Sequence, residues 1–177
     1  MKSRRFRTVF DPSYEKLVNV FLSDEEMLKL LPFQKYKFLG LETVNATTVK
    51  RKFLLNKDTI KIPRMFESKI KPEYLEWEET IIFNKDNKSG MFSIQPNIPQ
   101  NFRSKVLCHG EFEFVTLKDN KTERNLNLTV KVDVPFIGSL IESEVLDQVW
   151  LLFHHEEEVI NEFYLIFHEQ KTHGFMP

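Results

Sequence analysis

Residues 125–142 read Asn-Leu-Asn-Leu-Thr-Val-Lys-Val-Asp-Val-Pro-Phe-Ile-Gly-Ser-Leu-Ile-Glu. In the first half, Leu126, Leu128, Val130, Val132 and Val134 fall on one face, and Asn125, Asn127, Thr129, Lys131 and Asp133 on the other. A period of two is the mark of a strand with one buried face. Pro135 removes a backbone donor and ends that pattern. From Ser139 the apolar residues recur every three or four positions, and this spacing continues to about Lys171. A strand feeding one long terminal amphipathic helix predicts an α+β architecture in which a curved antiparallel sheet grips that helix. A hydrophobic cavity between the two is the natural consequence.

The helix can be divided into faces. Ile141, Val145, Val149, Leu152, Val159, Ile160, Phe163 and Phe167 share one broad face, which Leu146, Phe153 and Tyr164 extend. Glu156 falls near the middle of this apolar face. An unpaired buried carboxylate is strongly disfavoured, so Glu156 needs a partner, water or a proton.

The rest of the chain supplies the sheet. Phe6, Thr8 and Phe10 alternate with Arg5, Arg7 and Val9 in a first strand. Asp11-Pro12 reads as a helix N-cap followed by proline at the first helical position. Tyr14, Leu17, Val18, Phe21 and Leu22 give a helical stripe, and Ser23–Glu26 resembles a capping box for a second short helix ended by Pro32. Strands follow at Lys35–Val44 and Thr47–Asn56, joined around Asn45-Ala46. Further strands are expected at Leu75–Asn84, Met91–Gln95, Val106–Lys118 and Arg124–Val134. Residues Ile60–Ile70 are ambiguous because Pro63 opposes a regular central strand. The order is one strand, two short helices, about six strands and one long helix, in a single domain over residues 1–177.

Composition narrows the function. The chain has 177 residues, 17 of them Phe, and a formal net charge of −1. Near-neutral charge gives no global attraction to nucleic acid or to an anionic membrane. Many Phe residues suit a wide apolar interior, because Phe buries large area without a polar atom to satisfy. The single cysteine, Cys108, excludes an internal disulfide and a cysteine-based zinc site. No stretch is long and apolar enough to span a bilayer, so stable membrane insertion is not expected and a cytoplasmic location is.

The element order, with the Val-Pro-Phe-Ile-Gly-Ser-Leu-Ile-Glu junction, resembles the START-like superfamily, also called SRPBCC or helix-grip proteins. It looks most like an uncharacterised bacterial family within it, in which a similar Val-Pro-x-x-Gly turn and an acidic residue lead into the last helix. The resemblance covers Arg5 to Gln170 and rests on topology more than on motif. It implies a sheet of about seven strands around the C-terminal helix, with a cavity for lipids, sterols, polyketides or other apolar molecules. It transfers no activity, because members include transporters, cyclases, receptors and cochaperones.

Two strands bring polar groups to the expected cavity. Val49, Arg51, Phe53 and Leu55 share one face, and Leu75, Trp77, Glu79, Ile81 and Phe83 another. Arg51, Glu79 and Glu156 are expected to form a polar cluster in a greasy pocket, suited to a ligand with an apolar body and one polar head. A bulge in either strand would turn those side chains outward. The expected lining is Arg51, Phe53, Trp77, Glu79, Ile81, Phe112, Val145, Val149, Leu152, Glu156 and Ile160. Further inward candidates are Phe6, Thr8, Phe10, Met91, Ser93, Val106, Cys108, Phe114, Leu126, Leu128 and Val130. Cys108 reads as a small buried apolar group rather than a nucleophile.

Other catalytic signals are weak. In His154-His155-Glu156-Glu157-Glu158, the position four after His155 is Val159, so the helical zinc-protease motif is incomplete. His154 and Glu158 supply at most two ligands, and no metal or cofactor is expected. His109, His168 and His173 suggest no triad. The expected function is binding of a lipid-like hydrophobic small molecule, for transport or sensing. The alternatives are a cyclase or dehydratase using the cavity carboxylates, and a protein-interaction module without a ligand. Oligomeric state is not legible.

Overall fold

The computed structural model describes residues 1–23, 35–56 and 76–172. Strand β1 (Lys2–Phe10) leads to helix α1 (Tyr14–Ser23), then β2 (Lys35–Thr43), β3 (Thr48–Asn56), β4 (Glu76–Asn84) and β5 (Ser89–Pro96). One helical turn, α2 (Gln100–Arg103), precedes β6 (Val106–Thr116) and β7 (Thr122–Val132), and α3 (Gly138–Thr172) closes the order. The seven strands form one antiparallel sheet in the order β1-β7-β6-β5-β4-β3-β2. The helix-grip architecture expected from the sequence is present. The second short helix and the Ile60–Ile70 segment lie outside the described residues.

The sheet curves where phenylalanine crosses glycine. Gly90 pairs with Phe112 across β5 and β6, and Phe92 with Gly110. A Cβ on Gly90 would stand 2.5 Å from the Phe112 ring, and one on Gly110 2.4 Å from the Phe92 ring. Each ring therefore lies over a residue that must lack a side chain, which lets these strands bend tightly. The same pairing fixes the inward set. Phe92 is buried, while Met91 is 54% exposed and Ser93 is also exposed, so the expectation that Met91 and Ser93 point inward is wrong. A one-residue change of phase moves a whole strand's side chains to the other face.

Inside the curve, Phe21 of α1 meets Phe83, Phe112 and Phe114. All six ring pairs in this group have centroids 5.6–6.2 Å apart. Aromatic pairs add about 0.5–1.5 kcal/mol each beyond area burial. This cluster fills much of the interior beside α1. Helix α1 starts later than Asp11-Pro12 implied, since its first backbone bond runs from Leu17 N–H to the Ser13 carbonyl. Asp11 instead pairs with Lys121 at 2.7 Å.

Helix α3 packs chiefly on β1 and β7. It also covers the free edge of β1. Glu157 accepts a hydrogen bond from Val9 N–H at 2.9 Å, and Asn161 accepts from Asp11 N–H at 2.8 Å. Arg4 pairs with Asp147 at 2.7 Å on the same seam. Buried Leu146 and Ile160 mark the face turned to the core. Val145, Val149 and Leu152 are only half-buried.

Candidate functional site

The junction before α3 sets the site's geometry. A Cβ on Gly138 would lie 2.1 Å from the Val132 carbonyl oxygen, so only glycine permits this approach. One helical turn later, buried Glu142 accepts the Val132 N–H at 2.9 Å and also pairs with the Met1 ammonium at 2.8 Å. The glycine and the acid of the Val-Pro-x-x-Gly junction thus clasp both polar groups of the last residue of β7. They fix where α3 begins, and with it where Glu156 stands, four turns further on.

Glu156 reaches the interior and pairs with Arg124 of β7 at 2.7 Å. Arg124 is buried, its Nε donates to Thr8 Oγ1 at 3.3 Å, and its guanidinium lies 4.4 Å from the Phe153 ring centroid and 5.1 Å from that of Phe10. Arg51 of β3 occupies a similar niche, 4.8 Å from the ring of Phe21 and 4.7 Å from that of Phe53. Its Nη1 donates to the Phe21 carbonyl. Its Nη2 stands 3.9 Å from Glu79 Oε1, an ion pair without a hydrogen bond. The register between β3 and β4 runs unbroken from Thr48 to Asn56, so no bulge turns Arg51 or Glu79 outward.

These four charges surround a cavity of about 70 Å³. Of the expected lining, Arg51, Phe53, Glu79, Ile81, Phe112, Leu152 and Glu156 border it. Trp77, Val145, Val149 and Ile160 do not: Ile160 is core, and Val145 and Val149 are half-buried on α3 beside it. Phe21, Leu55, Phe92, Arg124, Leu126 and Phe153 complete the wall. Arg51, Glu79 and Glu156 border one cavity, and the direct partner of Glu156 there is Arg124. Arg124 was legible in principle, because extending the alternation of β7 by one step before Leu126 puts it on the core face.

Burial perturbs both members of the Arg51–Glu79 pair. Burial pushes the Glu79 carboxyl above the usual carboxylate range, and Arg51 only partly offsets this. Burial likewise pulls the Arg51 guanidinium below its ordinary value, although an arginine stays charged. Burial, with the nearby Glu79 charge, pushes the Cys108 thiol up to about 12, which leaves it unreactive at neutral pH.

The other polar clusters do not converge. His154 lies 3.4 Å from Glu157 and packs edge-on against Trp150, and His155 lies 3.8 Å from Glu158. Among the described residues, no group of three His, Cys, Asp or Glu side chains could hold a metal ion. No described helix is long and apolar enough to cross a membrane. A concavity of about 490 Å³ on the outer face of the sheet is bordered by Arg5, Met91, Glu111, Glu113, Asn125 and Asn127. It contains none of the buried charges.

Several solved structures share this fold. A START superfamily protein from Mycobacterium smegmatis is 11% identical, with a TM-score of 0.58, over 91% of this chain and 98% of that one. Norcoclaurine synthase from Thalictrum flavum, in a complex with dopamine and hydroxybenzaldehyde, is 12% identical, with a TM-score of 0.63, over 93% and 86%. The Zhui aromatase/cyclase from Streptomyces sp. R1128 is 10% identical, with a TM-score of 0.62, over 91% and 92%. At these identities the likeness shows the fold, which is START-like. No curated protein matches the chain. Residues 10–163 match the family described as protein of unknown function DUF2505, and the chain belongs to that family.

Proposed function

We infer that this protein binds a hydrophobic small molecule with one polar head, held between the sheet and α3. The observation that carries this reading is a buried guanidinium, Arg51, whose donors are incompletely used beside a cavity in an otherwise apolar interior. A folded protein rarely leaves such a donor without a partner. The cavity of about 70 Å³ suits the head alone, since ordinary small-molecule pockets are roughly 300–1,000 Å³. The apolar body would lie along Leu152 and the half-buried Val149 and Val145, gaining about 25 cal/mol for each Å² removed from water.

Native mass spectrometry of the purified protein, with organic extraction of what is released, tests this. A co-purifying apolar molecule is expected. Leu152→Trp should weaken its binding at least tenfold while circular dichroism stays unchanged. An empty protein that responds to no apolar ligand would sink the reading.

One observation favours a second reading, a cyclase or dehydratase. Glu79 holds its proton to higher pH than an ordinary carboxyl and faces the cavity, as a general acid would. Turnover of a carbonyl substrate that is lost in Glu79→Gln with binding retained would establish it.

A further inference from the structure

The two buried arginines differ in what their donors do. A guanidinium offers a planar acceptor the edge formed by Nε and Nη2. At Arg124 that edge is used, Nε by Thr8 at 3.3 Å and Nη2 by Glu156 at 2.7 Å. At Arg51 it is not. Nε is buried and has no hydrogen-bond partner among the described residues. Nη2 stands 3.9 Å from Glu79, beyond hydrogen-bond reach. Nη1 donates to the Phe21 carbonyl, and the rings of Phe21 and Phe53 hold the group. The result is a two-donor edge without a hydrogen-bond partner among the described residues, on a side chain that borders the cavity.

We propose that the ligand head is a carboxylate whose two oxygens sit on the Nε–Nη2 edge of Arg51. The proposal rests on the binding reading above and names the chemistry of its head. A neutral carbonyl or hydroxyl offers a single oxygen to be shared by the two donors and no charge to match the guanidinium. A phosphate is bulkier and brings more charge than this cavity can compensate. The facing groups are Arg51 on β3, Glu79 on β4, Cys108 on β6, Arg124 on β7 and Glu156 on α3. With the thiol neutral, the two arginines and two carboxylates already balance. A bound carboxylate adds one negative charge and competes with Glu79 for Arg51. A bound carboxylate therefore favours the protonated form of Glu79, and binding weakens as pH rises through the range in which Glu79 ionises.

The test is titration calorimetry with octanoate and octan-1-ol, which share an alkyl chain and differ in the head. Octanoate should bind at least tenfold tighter at pH 6, and heats in buffers of different ionisation enthalpy should report net proton uptake. Arg51→Lys keeps a charge without the planar edge, and Arg51→Gln removes both. Each should abolish the preference for octanoate, and cooperative unfolding in urea shows that the variant is folded. Glu79→Gln should bind octanoate more tightly than the wild type and with little pH dependence between pH 6 and 8. Equal affinity for the two ligands, or a preference that survives both Arg51 variants, overturns the carboxylate assignment and leaves the pocket standing. If neither ligand binds the wild type, the pocket reading and the proposal fall together.

Discussion

The β1/β7/α3 flank and the β3/β4 flank each bury an arginine between two phenylalanines and oppose it with a glutamate. On the first, Arg124 spends its Nε–Nη2 edge on Thr8 and Glu156, and α3 is tied to this flank from Ser139 to Asn161. On the second, Arg51 and Glu79 stand 3.9 Å apart, burial raises Glu79, and Arg51 keeps a buried donor without a partner among the described residues. The same residue types thus make a closed structural pair in one place and an open one in the other. A charge pair in a core is closed only when its hydrogen bonds are complete as well as its charges.

The largest expected effect tests that difference directly. Arg124→Ala leaves Glu156 without its partner in the interior, and should cost about 3–5 kcal/mol in urea denaturation. Arg51→Ala should cost less, about 1–3 kcal/mol, because Glu79 is already displaced toward its protonated form. Equal losses would break the distinction between the flanks.

A smaller effect sharpens it. The clasp formed by Gly138 and Glu142 on Val132 determines where α3 leaves β7. Gly138→Ala forces a methyl group against the Val132 carbonyl and should destabilise by about 1–3 kcal/mol. Since α3 carries Glu156 but neither Arg51 nor Glu79, the change should shift resonances around Arg124 more than those around Arg51. Equal perturbation of both would mean that α3 supports the two flanks alike.

The sequence disclosed the fold through periodicity. The alternation of β3, β6 and β7 and the long final helix were legible because each buries one face, and the hairpin of β2 and β3 was legible from its turn at Asn45-Ala46. It also indicated that Arg51, Glu79 and Glu156 approach one interior space, since each breaks an apolar face. Three things were hidden. Arg124 has the core-facing phase of Leu126, but its charge at the start of β7 disguises it as a surface residue. Met91 competes with Phe92 for the core, and only the Phe–Gly crossings with β6 decide between them. The cavity is small because the four-phenylalanine cluster of Phe21, Phe83, Phe112 and Phe114 fills space, and Phe content alone does not distinguish a lined pocket from a filled one.

The smallest effect separates the flanks by the sign of a pH dependence. Glu79 has a raised value in the folded protein, so it binds its proton more tightly there than in the unfolded chain. Its contribution to stability is fully present below the unfolded carboxyl value and is lost as pH rises through the raised folded value. Glu123 on β7 behaves in the opposite way. The hydrogen bond from Arg7 holds its carboxyl below the usual range, so its contribution is present above the unfolded value and is lost as pH falls through the folded one. Relative to the wild type, Glu79→Gln should therefore become more stable as pH is raised above the ordinary carboxyl range, and Glu123→Gln less stable as pH is raised toward that range from below. Either slope is bounded by about 1.4 kcal/mol per pH unit for one proton. Measuring slopes rather than absolute stabilities removes the packing cost that each substitution carries at every pH. A flat Glu79→Gln difference would mean that Arg51 compensates the buried carboxylate fully at 3.9 Å, and the open pair would then be as closed as its counterpart.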